Sequence, residues 1–166
     1  GILKDSMEWA SCLYGSDRTW YLVNGSTCGL LSAISAAVSH GGKTLVSRNC
    51  HKAVYHGIYL NHLEAVYVYP QPVPGLGIQG GILPEDVEKA LKEEPDIQAV
   101  LMVSPTYDGI VSDVKAIADV AHKAGIPLIT KKPGLTCPRD FRMCEGLEVI
   151  YEGKLRNYRN YLKLHF

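Results

Sequence analysis

Apolar and polar positions along the first 130 residues alternate in a rhythm of short runs and helical stripes. Trp20, Tyr21, Leu22 and Val23 form an aromatic and β-branched run, which predicts a buried strand. Asn24 and Gly25 break it, since both tolerate the backbone angles of a tight turn. Ser26 or Thr27 then stands where a helix N-cap is expected. Leu30, Leu31, Ile34, Ala37 and Val38 follow at helical spacing, and Ser39-His40-Gly41-Gly42 ends that helix. Ahead of this stretch, residues 1–15 predict a helix with Met7, Ala10, Leu13 and Tyr14 on one side and Gly15 at its end.

The rhythm continues. Thr44–Ser47 predicts a second strand, Arg48–Lys52 opens a helix running to about Asn61, and Ala65–Tyr69 predicts a third strand. A Pro- and Gly-rich loop over 70–83 leads to Pro84 as first helical residue. Glu85 and Asp86 there favour the helix dipole, and the helix ends near Glu94-Pro95. Ala99–Val103 is a fully apolar fourth strand that leaves through Ser104-Pro105-Thr106-Tyr107-Asp108-Gly109. Ser112 or Asp113 caps a helix with Val114, Ile117, Ala118 and Ala121 on one face, closed by Gly125. Pro127-Leu128-Ile129 starts a fifth strand.

Strands alternating with helices of this length predict an α/β fold of three layers, with a mainly parallel sheet covered on both faces. Ligands of such sheets bind beyond the carboxyl ends of the strands. The polar turns after strands 1, 2 and 4 can gather there. Strand, polar turn and helix in that order also offer an anion the unpaired N–H groups and partial positive charge of a helix start. The turn has no Lys and no GxxxxGK[ST] pattern, so a nucleoside triphosphate loop is not expected. Taken alone, the stretch reads as an ordinary capped helix after a strand.

After Thr130 the periodicity stops, apart from the run Leu147–Tyr151. Charge changes at the same place: residues 1–130 carry 9 Lys/Arg and 13 Asp/Glu, while 131–166 carry 8 and 4. Lys154–Phe166 interleaves bases with tyrosines, a composition seen in nucleic-acid contacts, but a solvated end is the reading taken. On the reading of that tail as a solvated or disordered end no nucleic-acid partner is expected, and no membrane partner either, because no apolar run is long enough to span a bilayer. The five cysteines form no CxxC pair, so free thiols in a reducing, cytoplasmic setting are expected, without a metal site. The chain opens Gly-Ile-Leu-Lys without an initiator Met or signal-peptide pattern, and is expected to be a piece of something longer.

Three segments in order, Asn24-Gly25-Ser26-Thr27-Cys28-Gly29, Arg48-Asn49-Cys50-His51-Lys52 and Ser104-Pro105-Thr106-Tyr107-Asp108-Gly109, resemble one family. It is the major domain of the ornithine/lysine/arginine decarboxylases, pyridoxal-phosphate enzymes of the aspartate-aminotransferase fold. The resemblance covers roughly residues 1–130. It implies that Gly25, Ser26 and Thr27 hold the cofactor phosphate, that His51 stacks on the pyridine ring, and that Thr106 approaches the cofactor. His51 read alone is a packing residue; the resemblance reverses that. The family also implies a basic amino acid as substrate and a homo-oligomeric parent enzyme.

Two further elements of the family pattern are not found. Where an Asp-Glu-Ala-His-type motif would place an aspartate against the pyridinium nitrogen, the register from Gly125-Ile126-Pro127-Leu128 puts Lys131. A lysine repels a protonated ring nitrogen. The Ser-Thr-His-Lys motif that supplies the cofactor-bearing lysine does not occur. With suitable codons, the bases for Lys132 to Arg142 read one position earlier give Glu-Ala-Arg-Ala-His-Leu-Ser-Pro-Arg-Phe-Pro, close to how the family continues. A frame change would explain the lost period and the reversed charge together. The expectation is a partial decarboxylase major domain over 1–130 with a non-native or irregular tail over 131–166. It is expected to be inactive alone, to have no catalytic residue of its own, and to aggregate or need a partner through an edge left open after the fifth strand. The competing expectation is a non-catalytic α/β module that binds a phosphate ligand or a protein.

Overall fold

The computed structural model describes residues 1–14, 16–132, 148–152 and 161–163. Its sheet is organised around β4, Ile97–Val103, whose side chains are buried except for the half-buried Gln98. An almost continuous apolar run of this kind suits a strand covered on both faces. Beside it lie β2 (Lys43–Ser47) and β5 (Leu128–Lys132), both parallel to it. β3 (Glu64–Val68) extends the sheet in parallel beyond β2. On the other side β6 (Glu148–Glu152) pairs antiparallel with β5, β7 (Tyr161–Lys163) antiparallel with β6, and β1 (Arg18–Thr19) parallel with β7. The order is β1-β7-β6-β5-β4-β2-β3.

One face carries α2 (Gly25–Ala37) and α3 (Lys52–Leu60). Leu30, Ala33 and Ile34 of α2 and Ala53 and Val54 of α3 pack on Val46, Ala99, Leu101 and Ile129 of the sheet. The opposite face carries α4 (Pro84–Glu93) and α5 (Val114–Lys123), with Val87, Ile117 and Ala121 on Leu45, Val100, Met102 and Leu128. Truncating a fully buried side chain such as Leu101 or Ile34 to Ala is expected to cost about 2–5 kcal/mol. α1 (Ile2–Tyr14) precedes β1 and buries Ala10 but leaves Leu13 exposed; Gly15 lies outside the described residues. Among the described residues no helix is long and apolar enough to cross a membrane.

The structure corrects three sequence expectations. The first strand is Arg18–Thr19, not Trp20–Val23: Trp20, Tyr21 and Val23 are exposed, and only Leu22 packs on the α2/α3 cluster. Aromatic and β-branched propensity marks residues that suit a sheet, but pairing needs a neighbouring strand. Tyr21 turns back to α1 instead, its hydroxyl 2.8 Å from Ser6 Oγ. The helix cap moves as well. Asn24 is the N-cap of α2 and Ser26 and Thr27 lie within its first turn, because Gly25, at φ 68°, makes the sharp entry itself. Lastly, β5 is not an open edge, since β6 pairs with it. The proposed frame change concerns mainly residues 133–142, which lie outside the described residues, as do 153–160 and 164–166 of the basic tail.

Candidate functional site

β2, β3, β4 and β5 run parallel, so the connections after them leave one carboxyl edge; β1 points the same way through β7 and β6. The start of α2 follows β1, His51 follows β2, and the Ser104–Gly109 loop follows β4, so all three turns emerge at this edge. α2 and α3 share a layer, which puts the α2 start and His51 on the same face of the sheet.

At the α2 start, Asn24 makes no side-chain capping hydrogen bond. The first N–H groups of a helix have no partner within it, and here no capping side chain of Asn24 takes one. Ser26 is half-buried and Thr27 exposed. A Cβ built on Gly25 would meet nothing within 4 Å, so the space beside the turn is open. These groups can receive an oxyanion, with the helix dipole acting in the same direction.

His51 is the N-cap of α3, its Nδ1 accepting from the Ala53 N–H at 3.2 Å. That bond fixes Nδ1 as the acceptor and leaves the proton of the neutral ring on Nε2. Burial first, then the charges of Lys131, Lys52 and His56, holds His51 below the ordinary imidazole range. Beside it, Cys50 Sγ–H points to the Leu101 carbonyl at 3.7 Å, and burial pushes the thiol up to about 12. At that value the thiol stays protonated near neutral pH.

Lys131 acts on both Cys50 and His51. Ile129, two residues earlier on β5, belongs to the α2/α3 cluster, so alternation puts Lys131 on that same face. Its neighbour Thr130 takes the other face; its buried hydroxyl has no hydrogen-bond partner among the described residues.

Thr106 is buried and internally committed. Its Oγ1 accepts from the Ile110 N–H at 3.1 Å, and its own N–H donates to the Ile110 carbonyl at 2.8 Å. Ser104 Oγ accepts from the Ser112 N–H at 3.1 Å, closing the same loop. The Thr106 hydroxyl therefore braces the loop as an acceptor. Sequence reasoning also passed over an aromatic shelf beside this edge. Arg48 Nη1 donates to Tyr55 Oη at 3.0 Å, and its guanidinium carbon lies 5.7 Å and 5.6 Å from the ring centroids of Tyr55 and Tyr67. The only sequence signal was an Arg in a turn followed seven residues later by a helical Tyr.

The phosphate end and the ring-nitrogen end of the site fit pyridoxal phosphate unequally. An open helix start with two hydroxyls suits a phosphate ester. Lys131, which acts electrostatically on His51, would oppose a proton on the nitrogen of a pyridine held beside that histidine. Among the described residues no group of three or more His, Cys, Asp or Glu could hold a metal ion.

The Orn/Lys/Arg decarboxylase, major domain, matches residues 1–132. The arginine decarboxylase of Halalkalibacterium halodurans is 36% identical over 129 residues, covering 78% of this chain and 26% of that protein. The inducible lysine decarboxylase of Escherichia coli is 29% identical over 175 residues, covering 92% of this chain and 23% of that protein. The chain thus spans about a quarter of the length of these relatives. Among solved structures, the PLP-bound C-S lyase from Staphylococcus hominis superposes with a TM-score of 0.58 at 17% identity, covering 72% of this chain and 30% of that one. At that identity the likeness concerns the fold, that of the pyridoxal-phosphate transferases.

Proposed function

Since the chain belongs to the Orn/Lys/Arg decarboxylase family, we propose that it is part of a pyridoxal-phosphate decarboxylase of arginine, lysine or ornithine, and that it provides the phosphate end of the cofactor site. The observation that carries this reading is the open start of α2 on the face that also holds His51. The first-turn N–H groups and the Ser26 and Thr27 hydroxyls donate to phosphate oxygens. His51, neutral and oriented through Ala53, presents a flat ring to the pyridine. Thr106 keeps the Ser104–Gly109 loop folded at the cleft wall. The parent enzyme works as a cytoplasmic homo-oligomer on a free amino acid.

Bound in such an enzyme, the cofactor supplies an electron sink for loss of carbon dioxide from the amino acid. Lys131 does not fit that chemistry, because its charge opposes a proton on the ring nitrogen. Residues 1–130 are read as the partial major domain and 131–166 as a tail of different origin. The isolated chain is accordingly inactive as a decarboxylase. The test is carbon dioxide release from arginine, lysine and ornithine with added cofactor. The expected rate equals that of free cofactor, and saturable turnover of any of the three would overturn the reading.

A further inference from the structure

At the amino edge of the sheet, remote from the turns above, two histidines from separate connections lie together. His40 precedes β2 and His62 precedes β3, and their ring centroids are 4.9 Å apart with planes tilted by 53°. We propose that His40 and His62 form a two-histidine site for a borderline divalent transition metal such as Zn²⁺ or Cu²⁺.

The backbone holds the pair in place. Gly41 N–H donates to the Asn61 carbonyl at 2.9 Å, and Glu64 N–H donates to the Gly42 carbonyl at 2.9 Å, so the two connections are joined on either side of His62 and just after His40. His62 is the one described non-glycine residue at positive φ, 51°, a conformation fixed by its N–H bond to the Tyr59 carbonyl at 3.2 Å. The turn carrying His40 is equally constrained: a Cβ on Gly42 would lie 2.8 Å from the Ser39 carbonyl oxygen.

The spacing suits one shared ion. With metal–nitrogen bonds of about 2.0–2.1 Å and a near-tetrahedral angle, two imidazoles on one ion have centroids roughly 5 Å apart. Both rings are exposed, so water can fill the remaining positions and small side-chain rotations can aim one nitrogen of each ring at a common point. Imidazole donors favour Cu²⁺ and Zn²⁺ over Mg²⁺. Bound metal would fasten edge strand β3 to β2.

Calorimetric titration of the whole chain with zinc chloride tests the site, using His40→Gln and His62→Asn; Asn keeps the positive φ accessible. The expected result is one zinc bound per chain, with affinity at least tenfold weaker in either variant and no binding of magnesium. Unchanged zinc affinity in the variants, or no binding by the parent chain up to about 1 mM, overturns the proposal. Electron paramagnetic resonance of the chain with one equivalent of Cu²⁺ gives an independent reading. Coupling to two imidazole nitrogens is expected, and coupling to fewer overturns it.

Discussion

The two edges of the sheet handle polar groups differently. At the amino edge Lys43 Nζ, at the start of β2, lies 2.7 Å from Glu94, 3.0 Å from Asp96 and 3.6 Å from Glu64. Glu94 and Asp96 lead into β4 and Glu64 opens β3, so one ammonium ties three neighbouring strand starts together. Those hydrogen bonds, Glu94 first, hold Lys43 well above its ordinary range. At the carboxyl edge the first turn of α2 lacks a side-chain cap and opens on the face of the sheet that also holds His51. Charges that satisfy one another fasten a fold. Helix-start donors without a side-chain cap, at a turn with open space beside it, are available to a ligand.

The largest difference between the edges should appear when the carboxyl edge is broken. Ser26→Ala combined with Thr27→Ala removes the two hydroxyls of the proposed phosphate site; a hydrogen bond to a charged group is worth about 1.5–3 kcal/mol. Affinity for pyridoxine 5′-phosphate, read by calorimetry, should fall at least tenfold while the thermal midpoint stays put. Next in size is Thr130→Val, beside Lys131 but on the α4/α5 side. Removing a buried hydroxyl without a described partner should stabilise the chain by about 1 kcal/mol in urea unfolding, without changing phosphate affinity.

His51→Ala should cost about 1 kcal/mol of stability through loss of the α3 cap, whereas His51→Asn should keep most of it. Because the folded chain holds His51 below its ordinary range, the unfolded chain takes up the proton first as pH falls. This contribution is therefore complete above about pH 6.5 and is lost toward acid. Lys43 has the opposite sign: its folded value is raised, so its contribution is complete below the ordinary lysine range and is lost only in strong alkali. Lys43→Met should give the smallest effect, a lowered thermal midpoint whose difference from the parent shrinks as salt is added.

Much of the fold was legible because it rests on periodicity. The continuous apolar run Ala99–Val103 marked the central strand, and the Val114–Ala121 stripe marked α5. Pro84 marked the first residue of α4 through its own chemistry. Local patterns could not say which residues find a pairing partner, so Trp20–Val23 suggested a strand where the ladder uses Arg18 and Thr19. Nor could spacing show that Thr106 Oγ1 is already engaged by Ile110, or that Lys131 comes within electrostatic reach of His51 across two strands. Both depend on contacts between residues distant in sequence or turned by a loop.

The most direct test compares pyridoxine 5′-phosphate with pyridoxine in calorimetric titrations of the isolated chain, since neither carries an aldehyde to react with surface lysines. If the α2 start is the phosphate end of a cofactor site, the phosphorylated compound should bind at least tenfold more tightly, a difference of about 1.4 kcal/mol or more. Equal affinity for the two compounds would contradict it.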